Sequence, residues 1–275
     1  MSYQPTQLSR RDALQRLSSG VLLSLGLWPG ALRADNEAPA GSFRFVVIND
    51  THCVSPECGP YLEGAVARIK EDKPEFCLHI GDLTDKGDRH YFESVKEIFG
   101  VLPGKMYPVI GNHDYLTQTD RKDYVEALPQ RLNYFFEHRG WQFIGLDTTE
   151  GLHYEKTTIP AATLQWLDDN LARLNKKAPT VMFTHFPMGA GVMYRPGNAD
   201  ALLDRFLEFN LQAVFNGHYH AFTERRAGKV VLTTNRCCSL KRGNHDGTKE
   251  KGYFACEAKD GQVSRAFVEY KPAGA

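Results

Sequence analysis

The stretch that decides the fold is FCLHIGDLTD, residues 76–85, in which a short apolar run ends abruptly in glycine and acidic residues. The run Phe76–Ile80 predicts a buried β-strand. Gly81 and Asp82 end this strand, because glycine and aspartate favour turns. The stretch therefore predicts a strand whose carboxyl end carries polar side chains.

The same arrangement, a strand followed at once by polar residues, recurs four more times along the chain. The predicted strands Phe43–Ile48, Met106–Ile110, Thr180–Phe183 and Ala213–Phe215 are followed by DTH (50–52), GNHD (111–114), TH (184–185) and GHYH (217–220). Helical spacing of apolar residues predicts helices at Tyr61–Lys70, Tyr91–Phe99, Ala161–Leu174 and Ala201–Phe209, with a further strand at Trp141–Leu146. Alternating strands and helices predict an α/β fold.

The last quarter of the chain has a different pattern, in which strands follow one another without helices. Hairpin strands are predicted at Lys229–Thr234, Gly252–Glu257 and Val263–Tyr270. We find no internal repeat and no low-complexity linker after residue 40. Residues 41–275 are therefore predicted to form a single mixed α/β domain.

The five polar clusters predict one shared site, because loops at the carboxyl ends of strands in α/β sheets converge on one crevice. The clusters offer carboxylate, amide and imidazole ligands, which suit divalent Mn, Fe, Zn, Co or Ni. They do not resemble the thiolate-rich ligand set of a structural zinc site. Taken alone, GD-x-x-D is more typical of a turn before a capped helix. Five such clusters in order favour a metal site.

The ordered set D-x-H, GD-x-x-D, GNH-[DE], H and GH-x-H resembles that of the calcineurin-like metallophosphoesterase superfamily, from residue 43 to about residue 234. The spacing from Asp50 to Gly111 is most similar to the class III cyclic-nucleotide phosphodiesterase-like branch. This resemblance implies a four-layer α/β/β/α sandwich with two mixed β-sheets.

The resemblance also implies two divalent metal ions and a role for each motif residue. Asp50, His52 and His220 would hold one ion, Asn112, His185 and His218 the other, and Asp82 would bridge them. A metal-bound hydroxide would attack the phosphorus of a small phosphomonoester or phosphodiester. His113 would act as general acid or phosphate stabiliser, and Asp85 would orient it by hydrogen bonding. Asp85 stands where purple acid phosphatases have a tyrosine ligand, so a purple ferric centre is not expected.

Two features leave alternatives open. The second GNHD string, residues 243–246, follows no strong strand and is typical of a flexible loop, with a role at the rim of the substrate site as the alternative. Disulfides are possible between Cys53 and Cys58, or between Cys256 and either Cys237 or Cys238. Substrate specificity is expected to reside in loops 53–60, 115–135, 148–160, 187–199 and 236–251.

The formal net charge of zero divides into +3 for residues 1–34 and −3 for the remainder. Ser9-Arg10-Arg11-Asp12 resembles the twin-arginine export consensus, and the apolar stretch that follows is too interrupted for a transmembrane helix. Residues 1–40 are therefore predicted to be an export signal read by the twin-arginine machinery, with cleavage near Ala38-Pro39-Ala40 or Leu32-Arg33-Ala34. An ordinary secretory signal or an uncleaved tail is the alternative. The mature protein is expected to be periplasmic or secreted, without a membrane span.

Three functions compete at this point. The sequence favours a hydrolase of small phosphoesters. A nuclease of the same superfamily is disfavoured, because neither an added domain nor a basic cluster supplies a groove for nucleic acid, and no stable nucleic-acid partner is expected. A catalytically silent, metal-stabilised binding protein would lack ligands or His113, and none of these is missing.

Overall fold

The computed structural model describes residues 41–272, which form two mixed β-sheets with helices on their outer faces. The predicted export signal, residues 1–40, lies outside the described residues. The strands are β1 (Phe43–Ile48), β2 (Cys77–Ile80), β3 (Met106–Val109), β4 (Tyr134–His138), β5 (Trp141–Leu146), β6 (Thr180–Thr184), β7 (Leu211–Asn216), β8 (Thr223–Ala227), β9 (Val230–Thr234), β10 (Gly252–Lys259) and β11 (Gln262–Glu269). The α-helices are α1 (Cys58–Glu71), α2 (Arg89–Gly100), α3 (Lys122–Ala127), α4 (Ala161–Asn170) and α5 (Ala199–Leu203).

Both sheets combine parallel and antiparallel strands. The first has the order β11-β10-β1-β2-β3, in which β1, β2 and β3 are parallel and β10 is antiparallel to both its neighbours. The second has the order β4-β5-β6-β7-β9-β8, with four parallel strands at its centre and antiparallel β4 and β8 at its edges. The carboxyl ends of the parallel strands in each sheet carry the polar motifs.

In the part of the chain that the structure describes, three separate hydrophobic cores lie between four layers. Aromatic side chains fill the space between the sheets, where Phe45 stacks on Phe76 at a centroid distance of 5.3 Å and meets Phe143 edge-on at 5.5 Å. A second core joins α1, α2 and α3 to the first sheet, and a third joins α4 and α5 to the second sheet. The predicted α/β/β/α sandwich with two mixed sheets is confirmed.

Several elements differ from the sequence prediction. Strand β9 does pair with a hairpin partner, β8, but it also lies parallel to β7 in the sheet. The helix predicted at Ala161–Leu174 stops at Asn170 and continues as a 3-10 turn, and the one predicted at Ala201–Phe209 is likewise a short helix followed by a 3-10 turn. Helix α3 and strands β4 and β8 were not predicted.

The cysteines are unpaired in this fold. All six are free and buried, so neither of the pairings left open by the sequence is formed. Between residues 41 and 272, no helix combines the length and the apolar character that crossing a membrane requires.

Candidate metal centre

The site lies where the carboxyl ends of strands from both sheets meet. Main-chain hydrogen bonds join the loops after β1 and β2, from the Asp50 amide to the Gly81 carbonyl at 3.1 Å and from the His52 amide to the Asp82 carbonyl at 3.0 Å. His185, which follows β6 of the second sheet, donates from Nδ1 to the carbonyl of Ile80 in the first sheet at 2.9 Å. Loops distant in sequence are thereby fixed against one another.

The predicted metal ligands form two groups that share Asp82. One ligand atom from each of Asp50, His52, Asp82 and His220 lies within 4.8 Å of the others, and the same holds for Asp82, His185 and His218. The Oδ1 atom of Asn112 lies 3.1 Å from Nε2 of His185, which places it beside the second group. All seven predicted ligands are buried.

The backbone of the site is held in an unusual conformation. Positive φ angles occur at Asp50 (53°), His52 (45°), Asp82 (50°), His218 (64°) and His220 (46°), although none of these residues is glycine. Such angles cost free energy and persist only where the surrounding structure imposes them, and they cluster at functional sites. Five of the seven candidate ligands therefore have this conformation, which other non-glycine residues such as Lys73 and Tyr194 also adopt.

Two glycines allow the loops to approach one another this closely. A Cβ atom at Gly111 would collide with the carboxylate and the amide of Asp82. Gly81 has a φ of 76°, and a Cβ there would lie 2.5 Å from Nδ1 of His185. Any larger residue at either position would push the candidate ligands apart.

The hydrogen bonds of four imidazoles leave their inner nitrogen atoms facing one another. The outer nitrogens of His185, His218 and His220 donate to the carbonyls of Ile80, Tyr154 and Gly243, and that of His52 donates to the carboxylate of Asp85. These oxygens only accept, so the outer nitrogens carry the protons. In the neutral rings the inner nitrogens then present lone pairs to each other.

These inner nitrogens are close together. Nε2 of His52 lies 3.1 Å from Nε2 of His220, and Nε2 of His185 lies 3.2 Å from Nδ1 of His218. A proton on one ring of each pair, or a metal cation, removes the repulsion between facing lone pairs. Neutral imidazole with carboxylate is the ligand set that borderline divalent metals prefer. The residues present therefore fit divalent metal ions.

Burial and the two buried carboxylates act in opposite directions on the pKa values of the site's histidines. Burial would raise the pKa of Asp50, but His220 and His185 hold it well below its ordinary value. Burial lowers the pKa of His185, yet the carboxylates of Asp82 and Asp50 prevail and raise it to about 9. His218, which is buried beside His185, has its pKa lowered to about 3. Two buried carboxylates thus attract whatever cation the neighbouring ligands can hold.

His113 and Asp85 lie together at the mouth of the site, but the atoms that join them differ from the prediction. Nδ1 of His113 donates to the main-chain carbonyl of Asp85 at 3.1 Å, whereas the Asp85 carboxylate is 3.6 Å away. That carboxylate instead accepts from Nδ1 of His52 at 3.0 Å and from Arg242. Asp85 therefore orients His113 through its backbone and His52 through its side chain.

A cavity of about 500 Å³ opens onto these residues and includes groups that the motifs did not reveal. Besides the motif residues, it is lined by Leu152, Tyr154, Tyr194, Arg242 and His245. They lie on three of the loops expected to carry specificity. Loop position was the only signal for four of them, whereas His245 also belongs to the second GNHD string. The 243–246 segment is a loop. The ring of His245 stacks on that of His220 with the centroids 4.9 Å apart, which places His245 at the edge of the site.

The family model for calcineurin-like phosphoesterases matches residues 43–222, which is more than half of the chain. The chain belongs to this family. A 3',5'-cyclic-nucleotide phosphodiesterase of Nostoc sp. is 27% identical over 66% of this chain and 73% of that protein. A probable glycerophosphodiester phosphodiesterase of Arcobacter nitrofigilis is 26% identical over 69% of this chain and 76% of that protein.

Solved structures of other proteins have the same fold as this calcineurin-like phosphoesterase. A dimetal phosphatase from Danio rerio superimposes with a TM-score of 0.63 at 14% identity, over 85% of this chain and all of that one. A purple acid phosphatase from yellow lupin gives a TM-score of 0.61 at 12% identity, over 84% of this chain and 52% of that one. The predicted superfamily and class III-like branch are confirmed, and the protein is a metal-dependent hydrolase of phosphoric esters.

Proposed function

We propose that this protein is an exported dinuclear-metal phosphoesterase that hydrolyses a small phosphomonoester or phosphodiester. The observation that carries the proposal is the pair of buried ligand groups that share Asp82. Asp50, His52, Asp82 and His220 would hold one divalent ion, and Asp82, Asn112, His185 and His218 the other. Such ions, when bound, neutralise phosphoryl oxygens and lower the pKa of water.

His113 is the group that we propose to act on the leaving oxygen. Its main-chain amide donates to Oδ1 of Asp82 at 2.9 Å, and its Nδ1 is committed to the Asp85 carbonyl. Nε2 makes no hydrogen bond with any residue in the described part of the chain, and the ring lines the cavity. This orientation suits a ring that holds a proton at Nε2, either to give to the leaving oxygen or to stabilise the phosphate.

The named relatives and the size of the cavity support a small ester as substrate. Both curated relatives described above are named as phosphodiesterases, one for cyclic nucleotides and one for glycerophosphodiesters. The cavity holds about 500 Å³, and Arg242 is the one arginine or lysine among its lining residues. A nuclease would need a longer basic groove to track several phosphates.

Hydrolysis of bis-p-nitrophenyl phosphate and of p-nitrophenyl phosphate with added Mn²⁺ tests this function. We expect turnover by the wild type, and a decrease of roughly 10²–10⁴-fold in kcat for His113→Ala at unchanged metal content. We expect Asp82→Asn to lose both metal and turnover, because it removes the shared carboxylate. Fully metallated wild type that hydrolyses neither ester would contradict the function, whereas full activity in His113→Ala would contradict only the role of His113.

Export is proposed from the sequence of the first 40 residues, where Arg10 and Arg11 precede an interrupted apolar stretch. We expect the protein to reach the periplasm of a bacterial host with a twin-arginine pathway. Replacement of both arginines by lysine should retain it in the cytoplasm, as followed by cell fractionation. Equal export of the two versions would contradict the twin-arginine route.

A further inference from the structure

Arg242 is a charged residue on the wall of the cavity to which the proposed function gives no role. It lies on the loop between β9 and β10, with 43% of its side chain exposed. Its Nε and Nη2 atoms donate to Oδ1 of Asp85 at 2.8 and 2.6 Å, and Nη2 lies 3.5 Å from Nδ1 of His113. A permanent cation thus lies beside the histidine proposed to act on the leaving oxygen.

The backbone on both sides of Arg242 is fixed against the site. The Arg242 amide donates to Oγ of the buried Ser239 at 3.1 Å, and its carbonyl accepts from Nζ of Lys251. The carbonyl of the next residue, Gly243, accepts from Nδ1 of His220 at 3.0 Å. The loop therefore holds the guanidinium at a defined position relative to a candidate metal ligand.

The guanidinium keeps donors that Asp85 does not use. Both bonds to Asp85 go to a single oxygen, and Nη1 makes no hydrogen bond with any residue between 41 and 272. Arginine presents its donors in a planar fork that matches the oxygens of a phosphate, and it remains charged at any working pH. A phosphoryl group in the cavity would therefore find an oriented and partly unpaired cation.

We propose that Arg242 binds a non-bridging oxygen of the substrate's phosphoryl group and thereby favours substrates with more charge on that group. This inference rests on the proposed function of the same site. A phosphomonoester dianion carries two charges near Arg242, whereas a phosphodiester carries one and has a further oxygen esterified. The arginine should therefore contribute more to the binding of the monoester.

Arg242→Met tests the proposal, with Lys241→Met as a matched control. Lys241 is the neighbouring cation on the same loop, but it pairs with Glu57 at 3.5 Å and does not line the cavity. In Mn²⁺-loaded protein, we expect Arg242→Met to raise KM for p-nitrophenyl phosphate and Ki for orthophosphate roughly tenfold. The increase for bis-p-nitrophenyl phosphate should be smaller, kcat should change less than KM, and Lys241→Met should behave as wild type.

Titration with Mn²⁺ distinguishes direct binding of phosphate by Arg242 from an indirect effect, in which loss of Arg242 disturbs Asp85 and His52 and thereby weakens metal binding. Unchanged affinity for Mn²⁺ together with weaker orthophosphate binding supports the proposal, as does partial recovery in Arg242→Lys. Unchanged KM and Ki in Arg242→Met overturn the proposal. It is also overturned if Arg242→Met binds Mn²⁺ more weakly and this loss accounts for the weaker binding of orthophosphate. If the wild type hydrolyses neither ester, the proposed function fails, and calorimetric binding of orthophosphate still tests Arg242.

Discussion

Asp114 shows how a single buried carboxylate can hold two loops of the site. Its Oδ1 accepts from the amide of Thr84 at 2.9 Å and from the Thr84 hydroxyl at 3.3 Å, and its Oδ2 accepts from the amide of Gly111 at 2.9 Å. The side chain is fully buried. It therefore ties the loop that carries Asp82 to the loop that carries Asn112, without being a candidate ligand itself.

We expect Asp114→Ala to lower the free energy of unfolding by about 3 kcal/mol, because it leaves three buried donors without an acceptor. Urea denaturation measures this change. Asp169→Ala is the control, since Asp169 lies at the surface and accepts a side-chain hydrogen bond from Gln165. Its effect should stay within about 0.5 kcal/mol. Equal effects of the two substitutions would show that Asp114 does not hold the loops.

The sequence predicted the residues of the candidate site better than it predicted their hydrogen bonds. The seven ligand positions follow from motif order, because each motif comes directly after a strand. The contact between Arg242 and Asp85 joins residues 157 positions apart, and neither position has a periodicity that would indicate the other. The sequence pattern does not predict the hydrogen bond from His113 to a backbone carbonyl either, because this bond depends on the exact conformation of a loop.

The loop between β9 and β10 is organised as an element by one side chain, that of Asn244. Its Oδ1 accepts from the amide of Cys237 at 3.0 Å, and its Nδ2 donates to the carbonyls of Thr248 at 3.2 Å and Glu250 at 2.8 Å. These bonds span the loop from its first residues to its last. Asn244 therefore stabilises the conformation that places Arg242 and His245 on the cavity.

We expect Asn244→Ala to increase hydrogen–deuterium exchange across residues 237–250 while global stability changes by about 1 kcal/mol or less. The melting temperature and exchange mass spectrometry together check this. Lys249→Ala is the matched control, because Lys249 is exposed on the same loop. Exchange that is no faster in Asn244→Ala than in Lys249→Ala would contradict this account of the loop.

The elements that the sequence did not predict lie at sheet edges or are very short. Strand β8 reads TERRA and is mostly exposed, so it lacks the apolar alternation by which strands are recognised. Strand β4 lies at the opposite edge and is only partly buried. Central strands such as β5 and β6 are buried on both faces, and the mainly apolar sequences of these strands were recognised correctly.

The whole molecule depends on the aromatic layer that joins its two sheets. Phe143 is fully buried there, and its ring lies 5.0 Å from Phe76 and 5.0 Å from Phe136. We expect Phe143→Ala to lower the free energy of unfolding by about 3–5 kcal/mol, because it removes apolar contacts and leaves a cavity between the sheets. Leu207→Ala, at a position that is 79% exposed, should cost far less in the same denaturation experiment.

Metal binding should stabilise the molecule as a whole, because the candidate ligands come from both sheets and are assembled only on folding. Mn²⁺ at about 100 times its Kd should add about 2.7 kcal/mol to the free energy of unfolding of metal-free protein, or roughly 5–10 °C in Tm. Asp82→Asn should lose most of this increase, because Asp82 belongs to both ligand groups. Asp147→Asn should retain it, since the buried Asp147 pairs with Arg121 outside both groups. A full Mn²⁺-induced increase in Asp82→Asn would show that the ion binds elsewhere, and this readout needs no turnover.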